Sequence, residues 1–355
     1  MKVGVTYSEK FGQYDLGAGH PFRGDRFANV VRLFEEQGLF RLPNVVLLKP
    51  RSVAKRDLLR VHDEEYVNLI FRLAELSQPY DIETPVSPQI LEAARLIIGG
   101  AIEAGRAIYE GKVDRAVALG CGYHHAGRNY GGGFCLLNDV AVLVEYLREK
   151  YGLKRALILD YDVHFGNGTS DIYYSDPDIL YISLHQDPRT IYPGTGFVEQ
   201  IGEDAGEGYN VNVPLPPGTG DQTYLYALRE TFVHLAEEFK PEFIVANGGS
   251  DPHFADTLGS LALTVNGFFK LSRTVVGVAE KVCGGRLVLM PGSGYEPTVL
   301  PPCWYALTAG VVGLESIGVG DPYAPPVEPD WCRRTVERTL RDLKRILKKY
   351  WHCFR

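Results

Sequence analysis

The chain has 355 residues, of which 45% are hydrophobic and 23% charged, as in an ordinary globular protein. The net charge of −7 gives no support to nucleic acid as a partner, and no apolar run is long enough to span a membrane. The N-terminus reads as a strand, not a signal peptide, and the six scattered cysteines form no CxxC pair. We therefore expect reduced, buried thiols in a cytoplasmic protein, with disulfides an alternative only for a hyperthermophilic source.

Short apolar runs alternate with amphipathic stretches along the chain. The runs predict strands at Val3–Tyr7, Val45–Leu48, Arg115–Leu119, Ala156–Leu159, Ile179–Ser183, Phe243–Ala246 and Leu287–Met290. The amphipathic stretches predict helices at Arg26–Gln37, Asp63–Leu76, Ile90–Tyr109, Leu137–Tyr151, Tyr224–Phe239, Val265–Cys283 and Leu300–Ile317. This alternation is typical of a mainly parallel sheet covered by helices on both faces. No repeat or linker divides the chain, which favours one domain over residues 1–355.

The segment Trp331–Tyr350 has the period of an amphipathic helix that docks on the body of the protein. Its apolar side consists of Val336, Leu340, Leu343, Leu347 and Tyr350. The opposite side is basic and includes Arg334, Arg338, Arg341, Lys344, Arg345, Lys348 and Lys349. A basic helix face can bind a membrane or nucleic acid. More often it is simply the solvent-exposed side of a helix, and we favour this interpretation.

Polar residues concentrate after the predicted strands, most densely in Leu157–Thr169, which begins as an apolar strand and ends in a Gly-Asn-Gly turn. If the strand continues, Asp160, Asp162 and His164 project to one side, because side chains alternate along an extended chain. Two carboxylates and an imidazole at a buried strand end need a partner, and a divalent metal would satisfy them.

Asp162 and His164 offer an oxygen and a nitrogen ligand, and Asp251, after a glycine pair on another strand, offers a third. Two carboxylates and one imidazole leave a fourth position for water, as in a catalytic zinc site. An Asp-x-His tripeptide alone is more often a turn or a hydrogen-bonded pair. The metal hypothesis gains support because Asp160 and these three residues all fall at strand ends on the same edge.

Adjacent histidines, His124 and His125, lie in a glycine-rich loop after another strand. Asp160 and Asn167 lie on the facing segment and can give the two imidazoles different pKa values. One imidazole could then serve as general base for a metal-bound water. A structural role for either histidine is the alternative. For Tyr295, behind Pro-Gly-Ser-Gly, the sequence does not distinguish a ligand contact from a packing tyrosine.

Several motifs occur in a fixed order: Gly122-Tyr-His-His-Ala126, Gly133-Phe-Cys-x-x-Asn-Asp-Val-Ala141, Leu159-Asp-x-Asp-Val-His-x-Gly-Asn-Gly-Thr169, Ser183-Leu-His185, Tyr192-Pro-Gly-Thr-Gly196, Gly249-x-Asp251 and Gly292-x-Gly-Tyr295. Together with Gly19-His-Pro-x-x-x-x-Arg26 and Val61-His-Asp-Glu-Glu-Tyr66, they resemble the histone deacetylase superfamily. That superfamily includes acetoin-utilisation-type and acetylpolyamine deacetylases of prokaryotes. The resemblance runs from about Tyr7 to Leu314.

The resemblance implies the arginase–deacetylase fold, a single-domain α/β/α arrangement with a mainly parallel sheet of about eight strands. It also implies a zinc-dependent deacetylase, an amidohydrolase that removes an acetyl or related acyl group from lysine or a similar amine. By motif position, Asp162, His164 and Asp251 would hold one zinc ion per chain. His125 would be the general base, and His124 its electrostatic partner or a second acid–base group.

The same motifs imply roles for the residues around the metal. Asn167 would orient His125, Asp160 would orient His124, and Tyr295 would donate a hydrogen bond to the tetrahedral oxyanion. Substrate contacts in the acyl-lysine tunnel would come from Gly133, Phe134 and Tyr192. A potassium ion would be bound near Asp160, Asp162, His164, Ser183 and Leu184.

The chain departs from the family pattern at a few positions. Phe165 replaces a histidine that usually follows the metal-binding one, and it should affect packing rather than zinc. Pro291 and Ser293 replace glycines before Tyr295, which should stiffen that loop. Tyr192 stands where many members have Phe and adds a hydroxyl at the tunnel mouth. Asn167 matches the members that carry Asn rather than Asp.

Two other functions stay open. A binuclear manganese ureohydrolase of the same fold would need further ligands, including His125, and an acyl-lysine binding module would lack the chemistry. The expected partner is an acylated amine, whether a protein lysine, a polyamine or a small metabolite. We expect no membrane or nucleic-acid partner, and the sequence is silent on oligomeric state.

Overall fold

The protein is described here by a computed structural model that covers all residues from Met1 to Arg355. Eight strands form one sheet: β1 (Val3–Thr6), β2 (Val45–Leu48), β3 (Arg115–Ala118), β4 (Ala156–Asp160), β5 (Ile179–Gln186), β6 (Asn210–Leu215), β7 (Phe243–Gly249) and β8 (Leu287–Ser293). Their spatial order is β2-β1-β3-β8-β7-β4-β5-β6, and every pairing is parallel. The predicted parallel sheet is confirmed.

Helices cover both faces of the sheet. They are α1 (Asp25–Glu36), α2 (Lys55–Leu58), α3 (Glu64–Leu76), α4 (Pro88–Tyr109), α5 (Asp139–Tyr151), α6 (Asn167–Tyr173), α7 (Asp221–Leu228), α8 (His234–Phe239), α9 (Val265–Cys283), α10 (Leu300–Val312) and α11 (Asp330–Leu347). One continuous cluster of 108 buried residues includes side chains from all eight strands, so the core lies on both sides of the sheet. The assignment of residues 1–355 to one domain stays a prediction.

The structure differs from the predicted elements where local sequence is misleading. The strand β6 was not predicted, because Asn210, Asn212 and Pro214 are poor strand formers. The strand lies at the edge of the sheet, where a proline is tolerated. The predicted helix Tyr224–Phe239 contains a π-helical turn at Arg229–Val233 that separates α7 from α8. The short helix α2 was also not predicted.

The C-terminal helix α11 packs on the body of the protein. Four of its predicted apolar residues are buried, namely Val336, Leu340, Leu343 and Leu347, and the helix packs on β6. Tyr350 lies beyond the helix end and is half-buried. Most of the basic side is exposed, but Lys344 is half-buried and donates to Glu230 over 2.5 Å.

None of the helices combines the length and the apolar composition that crossing a membrane requires. All six cysteines are free, and five of them are buried. The expectation of burial is wrong for Cys353, which is exposed in a short turn near the C-terminus. The cytoplasmic location stays a prediction.

Candidate active site

The predicted site residues lie together at the carboxyl edge of the four central strands β3, β8, β7 and β4. The loop after β3 carries His124 and His125, and β4 ends at Asp160. Asp251 follows β7, and Tyr295 follows β8. Parallel strands deliver these loops to one edge, so residues far apart in sequence meet in space.

Three ligand-type side chains meet at the base of this site. The Nδ1 atom of His164 lies 3.1 Å from Asp162 Oδ1 and 3.4 Å from Asp251 Oδ2. The candidate ligand atoms all lie within 4.8 Å of one another, and all three residues are buried. Asp251 Oδ2 is buried without any hydrogen-bond partner. An orphaned carboxylate oxygen beside a second carboxylate and an imidazole fits a divalent cation.

The pKa shifts within the trio also favour a bound divalent cation. Burial and the charge of Asp162 raise the pKa of Asp251 to about 8. Burial lowers the pKa of His164, but the carboxylates of Asp162 and Asp251 outweigh it and raise that pKa to about 10. The trio therefore holds protons on both Asp251 and His164 at neutral pH, and a metal bound there would displace them.

The chain around Asp162 is a turn, so the predicted strand alternation is wrong beyond Asp160, where β4 ends. The backbone N–H of Asp162 donates to Asp160 Oδ1 over 3.2 Å, and that of His164 donates to Asp162 Oδ1 over 2.8 Å. The predicted Gly-Asn-Gly turn is instead the start of α6, with Gly166 at the cap. Phe165 is buried against the rings of Tyr181 and His185, which confirms its predicted packing role.

The two adjacent histidines have different partners. The Nδ1 atom of His124 lies 2.8 Å from Asp160 Oδ2, and that of His125 lies 2.7 Å from Asn167 Oδ1. Their Nε2 atoms lie 3.1 Å apart. Burial lowers the pKa of His124, but Asp160 and Asp162 outweigh it and raise that pKa to about 9. Burial and the neighbouring imidazoles hold the pKa of His125 well below its usual range, so the pair combines a charged and a neutral ring.

Glycines allow the backbone to approach these rings. A Cβ atom at Gly133 would lie 2.4 Å from His125 Cδ2, and its φ of +51° is left-handed. A Cβ atom at Gly166 would lie 2.4 Å from Asp160 Oδ2. Neither position has room for a side chain, so both glycines are needed for the arrangement of the histidines.

A cavity of about 320 Å³ reaches His125 of the histidine pair and His164 of the ligand trio. Its lining includes His125, Gly133, Phe134, His164, Tyr192 and Tyr295. At the mouth, Tyr192 is 49% exposed, and its ring lies edge-on to His125 at 5.0 Å. Phe134 stands edge-on to Tyr295 at 5.8 Å. Burial, with the charges of Asp251 and Asp162, keeps the pKa of Tyr295 well above its usual value, so its phenol retains its proton.

The predicted potassium residues occupy neighbouring positions on β4 and β5. Asp160 pairs with Ser183 in the strand register. The Ser183 hydroxyl lies 2.8 Å from His185 Nδ1, and the carbonyl of Leu184 accepts a hydrogen bond from Tyr224 over 3.3 Å. Potassium binding stays a prediction.

Two contributing residues were not identified as such from the sequence. Ser293 Oγ donates to Asp251 Oδ1 over 2.7 Å, and Asp256 Oδ2 accepts the backbone N–H of Tyr295 over 2.6 Å. The expected stiff loop at Pro291 and Ser293 is in fact the end of β8, because both residues continue the strand. The serine substitution was visible in the sequence, but nothing there joined it to Asp251. Asp256 belongs to no motif.

The chain is similar in sequence to several known proteins. The family described as "Histone deacetylase domain" matches residues 20–311. A "Probable deacetylase" of Archaeoglobus fulgidus is 37% identical, with 100% of both chains covered. The "Histone deacetylase-like amidohydrolase" of Pseudomonas aeruginosa is 35% identical, covering 89% of this chain and 83% of its own. The "Acetoin utilization protein AcuC" of Bacillus subtilis is 31% identical, covering 87% and 82%.

Among solved structures, the crystal structure of the HDA15 HD domain superposes with a TM-score of 0.86 at 28% identity. The match covers 99% of this chain and 97% of that one, which confirms the three-layer fold around one parallel sheet. The chain therefore belongs to the histone deacetylase family of amidohydrolases.

Proposed function

We propose that the protein is a zinc-dependent deacetylase that removes an acetyl or related acyl group from lysine or a similar amine. The observation that carries this proposal is the position of His125. This neutral imidazole, held by Asn167, lies in the same cavity as His164 of the ligand trio. A base beside a metal site is what hydrolysis of an unactivated amide needs.

Asp162, His164 and Asp251 would hold one zinc ion. The two oxygens and one nitrogen they offer suit zinc and leave room for water or substrate. When bound, zinc supplies Lewis acidity, which polarises the substrate carbonyl and lowers the pKa of water.

His125 takes the proton of the attacking water at its Nε2 atom, since its Nδ1 atom faces Asn167. The oxygen of this water bonds to the carbonyl carbon of the substrate. The carbon–nitrogen bond of the amide then breaks, and the proton on His125 passes to the leaving amine. His124, charged and paired with Asp160, places a fixed positive charge beside the reacting centre.

Tyr295 donates a hydrogen bond from its protonated phenol to the carbonyl oxygen as negative charge develops there. One preorganised donor of this kind contributes on the order of 3 kcal/mol to transition-state stabilisation. Phe134 and Tyr192 form walls for the aliphatic part of the substrate, and Gly133 offers its backbone. We also assign a potassium site, by resemblance, to Asp160, Asp162, His164, Ser183 and Leu184.

The test is turnover of an acetyl-lysine fluorogenic peptide by the zinc-loaded protein. We expect Tyr295→Phe and His125→Ala each to lower kcat at least about 100-fold. Tyr323→Phe, which removes a half-exposed phenol outside the cavity lining, should leave kcat unchanged. Equal turnover by all four proteins would contradict the proposal.

The number of metal ions per chain distinguishes the proposed deacetylase from the binuclear ureohydrolase. The structure contains one cluster of three ligand-type side chains, and His125 is held by Asn167 rather than by that cluster. We therefore expect one zinc ion per chain by elemental analysis. Two manganese ions per chain would favour the binuclear ureohydrolase. Peptide binding without any turnover would favour the inactive binding module.

The natural substrate is to be found with a panel of acetyl-lysine peptides, acetylated polyamines and longer acyl-lysines. The rim of the cavity carries an exposed carboxylate, Glu83. We expect substrates with a positive charge near the acyl amine to have a lower KM than neutral ones, and Glu83→Gln to reduce that difference.

A further inference from the structure

The amide of Asn167 has a partner on each side. Its Oδ1 atom lies 2.7 Å from His125 Nδ1, and its Nδ2 atom donates to the Tyr130 hydroxyl over 3.3 Å. The Tyr130 hydroxyl in turn donates to a carboxylate oxygen of Asp171. A chain of hydrogen bonds therefore runs from the buried imidazole to an exposed acid on α6.

The direction of this chain is fixed at its outer end. A carboxylate has only acceptor atoms, so Tyr130 must give its single hydroxyl proton to Asp171. The Tyr130 oxygen is then left as an acceptor, which requires the NH₂ group of Asn167 to face it. The carbonyl oxygen of Asn167 must consequently face His125, and this oxygen accepts only from a protonated Nδ1.

An amide needs such a constraint, whereas a carboxylate does not. Asparagine presents one acceptor and one donor, and its two orientations would impose opposite tautomers on the neighbouring imidazole. With the NH₂ group towards His125, the proton would move to Nε2, and the atom that faces the substrate would have no lone pair.

We infer that Tyr130 and Asp171 are positioning residues, which hold the Asn167 amide in one orientation and so keep Nε2 of His125 free to accept a proton. Neither residue lines the cavity or contacts the ligand trio. The use of that free nitrogen as a base rests on the proposed function, but the tautomer itself does not. The inference therefore has a test that is independent of turnover.

The first test is the tautomeric state of His125 by ¹H–¹⁵N NMR on the zinc-loaded full chain, labelled with ¹⁵N at histidine. The His125 resonances are assigned by their loss in His125→Ala. We expect wild type to carry the proton on Nδ1, and Tyr130→Phe to show a mixture of both tautomers. The control is Tyr174→Phe, which removes a half-buried phenol just after α6 that makes no side-chain hydrogen bond. It should retain the wild-type spectrum.

The second test is kinetic, on the acetyl-lysine peptide. We expect Tyr130→Phe to lower kcat about three- to tenfold with KM unchanged, the effect of losing one ordinary hydrogen bond. In an Asn167→Asp background the carboxylate accepts from Nδ1 in either orientation. The further change Tyr130→Phe should therefore have no effect there. A purely structural role for Tyr130 would produce the same loss in both backgrounds.

Several results would overturn the inference. They are a wild-type proton on Nε2, an unchanged His125 tautomer in Tyr130→Phe, and a loss of kcat that persists in the Asn167→Asp background. If no acylated amine is turned over but the tautomer shifts as expected, the positioning role stands and the proposed function fails.

Discussion

At the scale of single residues, the site depends on groups that hold the ligands as well as on the ligands. Asp251 is fully buried, and one of its oxygens is used by Ser293, which leaves the other free. The hydrogen bond from Ser293 therefore fixes the rotation of the carboxylate and directs the free oxygen towards His164. Partners of this kind tune metal affinity strongly although they do not touch the metal.

Ser293→Ala should weaken zinc binding about tenfold, because the carboxylate of Asp251 loses the partner that orients it. The dissociation constant can be measured by competition with a chromogenic chelator. Ser175→Ala, which removes an exposed hydroxyl bonded to Glu203, is the matched control. Equal affinity in both variants would mean that the backbone alone orients Asp251.

His62 gives a pH-dependent contribution to stability. Its Nδ1 faces the Gly127 carbonyl at 2.8 Å and its Nε2 accepts from the backbone N–H of Asn138 over 3.0 Å, an arrangement that requires the neutral ring. Burial lowers the pKa of His62 from 6.5 to about 4. Between these values the unfolded chain binds a proton that the folded protein does not, so stability falls as the pH falls.

We expect wild type to lose on the order of 2 kcal/mol more stability between pH 6.5 and 4.5 than His62→Gln does. Urea unfolding at a series of pH values measures the difference. His234→Gln, at an exposed position, should follow the wild-type curve. Parallel curves for wild type and His62→Gln would refute the assignment.

Most of the site residues were predictable from the sequence, because each one is marked by the apolar strand just before it. Asp162, His164, Asp251 and the two histidines each follow an apolar strand, and parallel strands bring such residues to one edge. Ser293 and Asp256 act through contacts that exist only after β7 and β8 are placed side by side. No spacing in the sequence encodes those contacts.

At the scale of elements, capping residues made some helix boundaries predictable. The bounds predicted for α9 match the structure because Thr264 caps its first turn and Gly284 ends it. The start of α6 was missed because the sequence Gly-Asn-Gly predicts a turn. In the structure, Gly166 caps this helix, and its close approach to Asp160 is what requires glycine at that position. Close tertiary contact overrides local propensity at that point.

The C-terminal helix α11 covers the edge strand β6, and Leu343 is fully buried between them and the body. Leu343→Ala should lower the free energy of unfolding by about 3 kcal/mol, through lost burial and a cavity. Arg338→Ala, on the exposed side of the same helix, should change it by less than about 0.5 kcal/mol. Equal urea midpoints for the two variants would show that the helix does not contribute to the core.

At the scale of the whole molecule, the candidate metal site buries two carboxylates at the carboxyl edge of the central strands. If zinc binds only the folded trio, the chelated protein should unfold at a lower temperature than the zinc-loaded one. Ligand binding to the folded state alone stabilises it by about 3–4 kcal/mol at 100 to 1,000 times the dissociation constant.

Thermal unfolding with and without a chelator measures this effect, and added zinc should restore the original midpoint. In Asp251→Asn, where one ligand charge is lost, the zinc-dependent shift should disappear. An unchanged midpoint after verified zinc removal would mean that the site does not couple to global stability.

The pairing of β4 with β7 has a consequence for biosynthesis. The register sets Asp160 beside Asn247, so Asp251, which follows β7, lies near Asp162 and His164 only when β7 is in place. A nascent chain that ends before Phe243 already carries the histidine pair and Asp162 but lacks Asp251 and Tyr295. Such a fragment lacks one residue of the ligand trio and the proposed oxyanion donor, so we expect it to be inactive towards acylated amines.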